Sequence, residues 1–177
     1  MSSKWSSGES LPYVTPRGVG EPDAWTAESA CSGGTQRLIG AGEASPPSEV
    51  RRALSLSDGE AAIVRRRVMY INDTPIELTD SWYPRRVAAG TALAEPRKIR
   101  GGAPTLLAEL GYTTRFVTEE VGVRPVTSSE SDRLGLTDGE GVLTLLRTTR
   151  TADREPIEVS LMVMKGPRRI RYEIEVD

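Results

Sequence analysis

Histidine is absent from all 177 residues. That removes Ser-His-Asp and Cys-His chemistry and the commonest metal ligand together. Cysteine occurs once, as Cys31 in a Ser/Gly stretch, so neither an internal disulfide framework nor a thiolate metal site can form. Cys31 reads as a bystander thiol. No glycine-rich phosphate loop or dinucleotide fingerprint follows a strand-like segment, and no cofactor or metal is expected. No apolar run is long enough to span a bilayer. The opening MSSKWSSGES lacks the apolar stretch of a secretory signal, so a cytoplasmic chain with no membrane partner is expected. Positive charge is not in excess either. A net charge of −2 argues against this chain holding nucleic acid by itself, because such binding is largely phosphate neutralisation.

What is present is repetition. SLSDGE (Ser55–Glu60) returns as GLTDGE (Gly135–Glu140), and the likeness runs on through both flanks. Leu54, Leu56, Asp58, Gly59, Glu60, Arg67 and Asp73 face Leu134, Leu136, Asp138, Gly139, Glu140, Arg147 and Asp153. One extra residue in the second copy then brings Pro75-Ile76-Glu77 onto Pro156-Ile157-Glu158. A match over about thirty positions with one slip marks an internal duplication, and two copies are too few for a solenoid. They fit one domain built from two halves that share a core.

Residues 1–34 are rich in Ser, Gly and Pro without a sustained period and read as a tail or linker. Trp5, Tyr13 and Trp25 are odd company there, and part of Leu11–Trp25 is expected to pack on a body or a partner. From Thr35 the pattern is regular. TQRLIGAGEA reads as a strand and SPPSEVRRALSL as a short helix capped by Ser45. AAIVRRRVMYI and PIELTDSWYP form a hairpin across NDT. PTLLAELGY is a short helix closed by Gly111, and TTRFVTEEVGVRP is a strand. SSESDRLGL repeats the short helix with Ser128 or Ser129 as cap, and GVLTLLRTTRT with PIEVSLMVM repeats the hairpin. RRIRYEIEV closes the chain as a strand. The order β-α-β-β-α-β-α-β-β-β predicts an α+β fold: a duplicated antiparallel sheet with short helices packed on one side.

Side chains alternate along a strand, so Arg65, Arg67 and Met69 share one face, and Glu77, Thr79, Ser81 and Tyr83 share another. Arg67 recurs as Arg147 in the second copy, and Glu158, Ser160 and Met162 take the places of Glu77, Thr79 and Ser81. A planar guanidinium suits bidentate recognition of an anionic or carbonyl group. The polar set lines a pocket only if its face is covered, for which PTLLAELGY is a candidate. Glu77 and Glu158 form a symmetry-related carboxylate pair whose separation periodicity does not give. The long connection VAAGTALAEPRKIRGG reads either as a ligand-closing loop or as a surface crossover.

The run VRRRVMYINDTPIELTDSWYP resembles the hallmark of the UTRA domain, the effector-binding half of GntR-type transcription regulators. In that family an arginine-bearing strand leads through a turn to a strand ending in Tyr-Pro. SLSDGE, PTLLAELGY and the later DGE, EPIEVS and RRIRYEI fall in the family's order, and the resemblance covers Thr35 to Asp177. It implies a chorismate-lyase-like fold for residues 35–177 and a small-molecule effector held between sheet and helices. It also implies a homodimer, with DNA bound only through a winged-helix domain not present in this chain. LPYVTPR looks like the last strand of such a wing, with 1–34 the remnant of the connection. Carried over by position, the ligand contacts fall on Arg67, Met69, Thr79 and Thr105, with a tyrosine region around Ile170–Tyr172. The candidate ligand-binding set is Arg67, Met69, Thr79, Ser81, Thr105, Arg147, Glu158, Ser160 and Tyr172. Sugar-phosphate-sensing members have Arg at the Met69 position and Glu at the Thr79 position, so a less charged, more apolar ligand is expected here. Chorismate lyases share the fold, but their second-half carboxylate aligns with Leu161, which leaves lyase chemistry unsupported. The leading expectation is therefore an effector sensor rather than an enzyme. The alternatives are a headless member recruited for metal-free cyclisation or elimination, and a headless partner that titrates full-length relatives through mixed dimers.

Overall fold

The extra residue between the two copies lies in a hairpin loop. In the computed structural model, which describes residues 10–170, Asn72 and Asp73 both take left-handed backbone (φ 47° and 62°) and join β2 (Ala62–Ile71) to β3 (Thr74–Pro84). A two-residue turn of that kind matches the twist of the strands it connects. In the second copy, β5 (Gly141–Arg150) and β6 (Pro156–Lys165) are joined across Ala152–Arg154, with Thr151 N–H donating to the Glu155 carbonyl and Arg154 left-handed at φ 65°. That loop is one residue longer and uses a different turn to reach the same register.

The segments conserved between copies have backbone reasons. In each repeated hexapeptide, Gly59 and Gly139 are left-handed (φ 79° and 86°), and the Glu60 and Glu140 carboxylates accept from the N–H of Ser57 and Thr137. Pro-Ile-Glu marks a β-bulge. Pairing steps from Met69–Glu77 to Tyr70–Pro75, and from Thr149–Glu158 to Arg150–Pro156, leaving Ile76 and Ile157 unpaired. Proline has no N–H to give the ladder, so it sits where the ladder is interrupted.

The sheet runs β1 (Gly34–Ala44), β2, β3, β6, β5, β4 (Phe116–Pro125), antiparallel throughout. The two copies meet where β3 pairs with β6, through Thr79–Met162, Asp80–Leu161 and Ser81–Ser160. Asp80 and Leu161 hold the same place in the two copies, so the pseudo-twofold axis passes through that pair.

The α+β class and the duplicated antiparallel sheet are as expected, whereas the helices are shared between both faces rather than packed on one. On one face, α2 (Ser48–Ala53) buries Val50 and packs, with Leu54 just beyond it, against Val64, Trp82 and Val159, and α5 (Ser128–Leu134) packs Leu134 on Val68, Leu78 and Val163. On the other, α3 (Arg85–Ala88), the turn Ala92–Ala94 and α4 (Ala103–Glu109) bury Val87, Leu93 and Leu107 against Ile63, Tyr83 and Ile157. Neighbours such as Ile63 and Val64 point to opposite faces and both are apolar, so each face needs cover.

Local differences from the expected layout are small. Pro47, not Ser45, precedes α2, and no side chain caps it. Thr127 rather than Ser128 or Ser129 caps α5, and its N–H donates to Glu130 at 3.0 Å. LPYVTPR forms a single 3-10 turn at Leu11–Tyr13 instead of a strand. A further short helix, α1 (Ala24–Glu28), buries Trp25, whose indole N–H donates to the Thr35 carbonyl at 3.0 Å. The segment around Leu11–Trp25 thus packs on the body. Trp5 and most of the closing RRIRYEIEV lie outside the described residues. No helix among the described residues is long and apolar enough to cross a membrane.

Glu130 also grips Arg124 through both oxygens, at 2.7 and 2.6 Å. The guanidinium, with the Thr127 N–H, lowers its carboxyl from 4.5 to about 2. A lowered folded-state value gives stability that is complete above pH 4.5 and drains away as pH falls toward 2. The pair is partly solvated, so screening holds its contribution to about 1 kcal/mol or less. Glu130→Gln is expected to cost stability at pH 7 and nothing further near pH 2, read from urea midpoints at both. An equal loss at both pH values would show that the ion pair is not the source.

Candidate functional site

At the centre of the sheet, on the face opposite α2 and α5, lies a cavity of about 100 Å³, several times what one water needs. Its floor is β2, β3, β6 and β5, contributing Arg67, Met69, Glu77, Thr79, Glu158, Ser160, Met162, Met164, Leu145 and Arg147. Its roof is Ser10–Arg17, the start of α1, and Gly101–Pro104. A second lobe of about 160 Å³ lies toward β1, lined by Gln36, Leu38, Arg65, Tyr83, Lys98 and Ile99. Asp23, Arg67, Gly102 and Ala103 line both lobes.

The period-two polar residues of β3 and β6 are therefore not a wet face. Thr79, Ser81 and Ser160 are 3%, 0% and 5% exposed, and polar groups at such depth need partners. Arg67 Nη2 donates to Ser81 Oγ at 2.9 Å, Ser81 and Ser160 share a bond of 2.8 Å, and Ser160 Oγ donates to Glu158 Oε1 at 2.8 Å. A hydroxyl has one proton, and Ser160 spends its own on the carboxylate, so Ser81 must be the donor between the serines. The chain runs one way, from guanidinium to carboxylate. Arg67 Nε is buried and has no hydrogen-bond partner among the described residues.

Arg17 Nε in the roof is likewise buried without a partner among the described residues, whereas the other charges of the sheet side are engaged. Glu77 accepts from Thr79 Oγ1 at 2.7 Å and from Arg168 Nη2 at 2.9 Å. Burial lowers the Arg168 pKa, with Glu77 opposing that shift. Arg147 donates to Glu119 at 2.6 Å and to Ser10 Oγ at 3.0 Å, and its guanidinium lies 5.6 Å from the Tyr13 ring centre. Tyr13 donates to Glu28, and its phenol is pushed well above its usual range, first by burial and then by that carboxylate.

Arg65 is tied into the roof's support. It donates to the carbonyls of Ala92, Leu93, Glu95 and Arg97 at 3.1, 3.1, 2.7 and 2.7 Å. The long connection after β3 is thereby anchored to the sheet just before Gly101 and Gly102. Both glycines are left-handed (φ 72° and 83°), and a Cβ at Gly101 would come within 2.9 Å of the Thr105 hydroxyl.

Of the residues singled out from sequence, Arg67, Met69, Thr79, Arg147, Glu158 and Ser160 line the cavity. Ser81 lies in the floor as the link from Arg67. Thr105 is not a wall residue: it accepts from the Arg17 N–H and donates to the Gly101 carbonyl, both at 2.9 Å, and so fixes the lip. Tyr172 lies outside the described residues. Glu77, Arg168 and the whole roof were missing from the candidate set. The duplication pointed to Glu77, which is the counterpart of Glu158; Arg168 and the roof carried no periodic signal. Cys31 is exposed and is not among the residues that line the cavity.

Residues 34–169 match the family model of the UTRA domain. The chain is 27% identical, over 94% of its length, to an uncharacterised HTH-type transcriptional regulator of Streptomyces coelicolor, and spans 60% of that relative. It superposes on the crystal structure of a GntR-family transcriptional regulator with a TM-score of 0.77 at 23% identity, covering 99% of this chain and 72% of that one. The effector domain of PhnF from Mycobacterium smegmatis gives a TM-score of 0.71 at 14% identity, with 92% and 99% covered. At such identities the two structures establish the fold, while the family model establishes kinship over most of the chain. This chain belongs to the UTRA family, the effector-binding domains of GntR-type transcription regulators.

Proposed function

We propose that this chain senses a small molecule on behalf of a GntR-type regulator, the ligand settling between the sheet and the Ser10–Arg17 segment. Binding then tunes the geometry of a homodimer in the cytoplasm, and with it DNA binding by a winged-helix domain. The observation that carries this reading is the roofed cavity over the middle of the sheet, with the partnerless Nε of Arg67 buried beside it. A buried donor left unpaired costs about 1–3 kcal/mol, which a ligand acceptor would recover.

Coupling has a physical route. Ser10 and Tyr13 rest on Arg147, and the Arg17 N–H is held by Thr105, so the segment leading into the domain is also the cavity's roof. A ligand that shifts the roof shifts whatever precedes it, and a coupling of about 1–3 kcal/mol is the usual scale.

The test is a thermal-shift screen of small metabolites on the purified chain and on Arg67→Gln. A true effector at a hundredfold excess over Kd stabilises by about 2.7 kcal/mol, or roughly 5–10 °C for a domain of this size. The shift should shrink to a small fraction in Arg67→Gln. Shifts that survive this substitution unchanged would place the ligand elsewhere, and a screen without any shift would refute sensing by this cavity.

A further inference from the structure

Charge on the sheet side of the cavity is balanced, but not all of it is paired. Arg147 is matched by Glu119 and Arg168 by Glu77, each within 2.9 Å. In the roof, Asp23 meets Lys98 at 3.9 Å and Gln36 at 2.9 Å, and Arg17 Nε is buried with no hydrogen-bond partner among the described residues. On the sheet side Arg67 and Glu158 are the remaining two, one of each sign, and among the described residues they make no direct ion pair. Their heads are at most three hydrogen bonds apart, of 2.9, 2.8 and 2.8 Å through Ser81 and Ser160. Beside this pair the floor is apolar, formed by Met69, Leu145, Met162 and Met164.

From this arrangement, and resting on the sensor reading above, we infer that the ligand is a small zwitterion: a carboxylate taken by Arg67, a protonated amine taken by Glu158, and an aliphatic body on the methionine floor. The reasoning is one of charge balance in a confined space. A net anion would leave Glu158 uncompensated beside it, and a net cation would do the same to Arg67. Burying an unmatched charge is costly, whereas two opposite charges that each meet a partner are tolerated. The buried Nε of Arg67 supplies a second donor for a carboxylate, in the fork geometry that suits it. The Ser81–Ser160 link orders the two heads relative to each other before any ligand arrives.

Calorimetric titration of the purified chain tests this. Leucine, 4-aminobutanoate and 6-aminohexanoate are each compared with the acid that lacks the amine and the amine that lacks the carboxyl. At least one zwitterion should bind tenfold or more tighter than both of its truncated partners. Arg67→Gln should erase its advantage over the amine, and Glu158→Gln its advantage over the acid. Circular dichroism of both variants confirms that the fold is retained, and the comparison among ligands on the unaltered chain needs no variant. An acid or amine that binds as tightly as its zwitterion overturns the inference, and so does the failure of every zwitterion to bind. If a compound of another charge class binds in an Arg67-dependent way, the sensor reading survives and only the ligand class falls. If nothing binds here or in the metabolite screen, both fall.

Discussion

Arg65→Met is expected to lower stability by about 3 kcal/mol and to release the connection that carries the cavity's lip. Arg65 is 6% exposed and spends its guanidinium on four backbone carbonyls of Ala92–Arg97. A hydrogen bond to a charged group contributes roughly 1.5–3 kcal/mol, and buried acceptors left behind lose about as much again. Against this stands the cost of burying the arginine, seen in its lowered pKa, whose leading cause is desolvation. A methionine removes that cost and fills part of the volume, so the net loss is well below the sum of four bonds. The urea midpoint gives the stability, and hydrogen exchange at residues 92–97 gives the local effect. Arg65→Lys should recover less than half, because a single ammonium cannot reach four acceptors in a fork. Unchanged exchange across 92–97 in Arg65→Met would mean that the loop is held by its own packing, chiefly Leu93, which is fully buried.

The second large effect is expected at Glu77. Its side chain is 7% exposed and that of Arg168 is 6%, with 2.9 Å between them. Removing one member of a buried pair costs about 3–5 kcal/mol, because the other keeps its desolvation penalty without its partner. Glu77→Leu also leaves the Thr79 hydroxyl without its acceptor. A loss near 4 kcal/mol is therefore expected for Glu77→Leu. Arg168→Met should cost less, because the carboxylate keeps Thr79 as a donor. Glu77→Leu with Arg168→Met together should be more stable than Glu77→Leu alone, since the double change no longer leaves the Arg168 guanidinium buried without the Glu77 carboxylate. Denaturant unfolding of the four proteins closes the cycle. Simple additivity of the two single losses would show that Glu77 and Arg168 do not depend on each other, and that the buried pair is not the source of the loss.

Much of the fold was legible because it is written twice. The left-handed glycines of the two DGE turns, the Pro-Ile-Glu bulges and the one-residue difference between hairpin loops are local backbone events. Each leaves a mark in residue type at a fixed spacing. Strand periodicity likewise put Arg67, Met69, Thr79 and Ser81 on shared faces before any coordinate was known, and the duplication carried that set to Arg147, Glu158 and Ser160. The resemblance to the UTRA family added the fold's name and the expectation of a ligand.

Other features depended on contacts between distant parts of the chain. Whether the polar face of β3 and β6 is wet or roofed depends on Ser10–Trp25, a Ser/Gly/Pro-rich segment with no period that settles only because Trp25 and Tyr13 find burial on the body. Arg65 and Arg67 are alike in sequence and share a face. Yet Arg65 is consumed by the carbonyls of a loop some thirty positions away, while Arg67 Nε is buried at the cavity with no hydrogen-bond partner among the described residues. Thr105 and Glu77 exchange roles for the same reason. Alternation says which face a side chain takes, but only the fold says what stands opposite it. Turn chemistry and periodicity thus account for the strands, their order of faces and their twofold repetition. The roof, the pairing of charges and the separation of Arg67 from Glu158 follow from long-range packing, which no local pattern encodes.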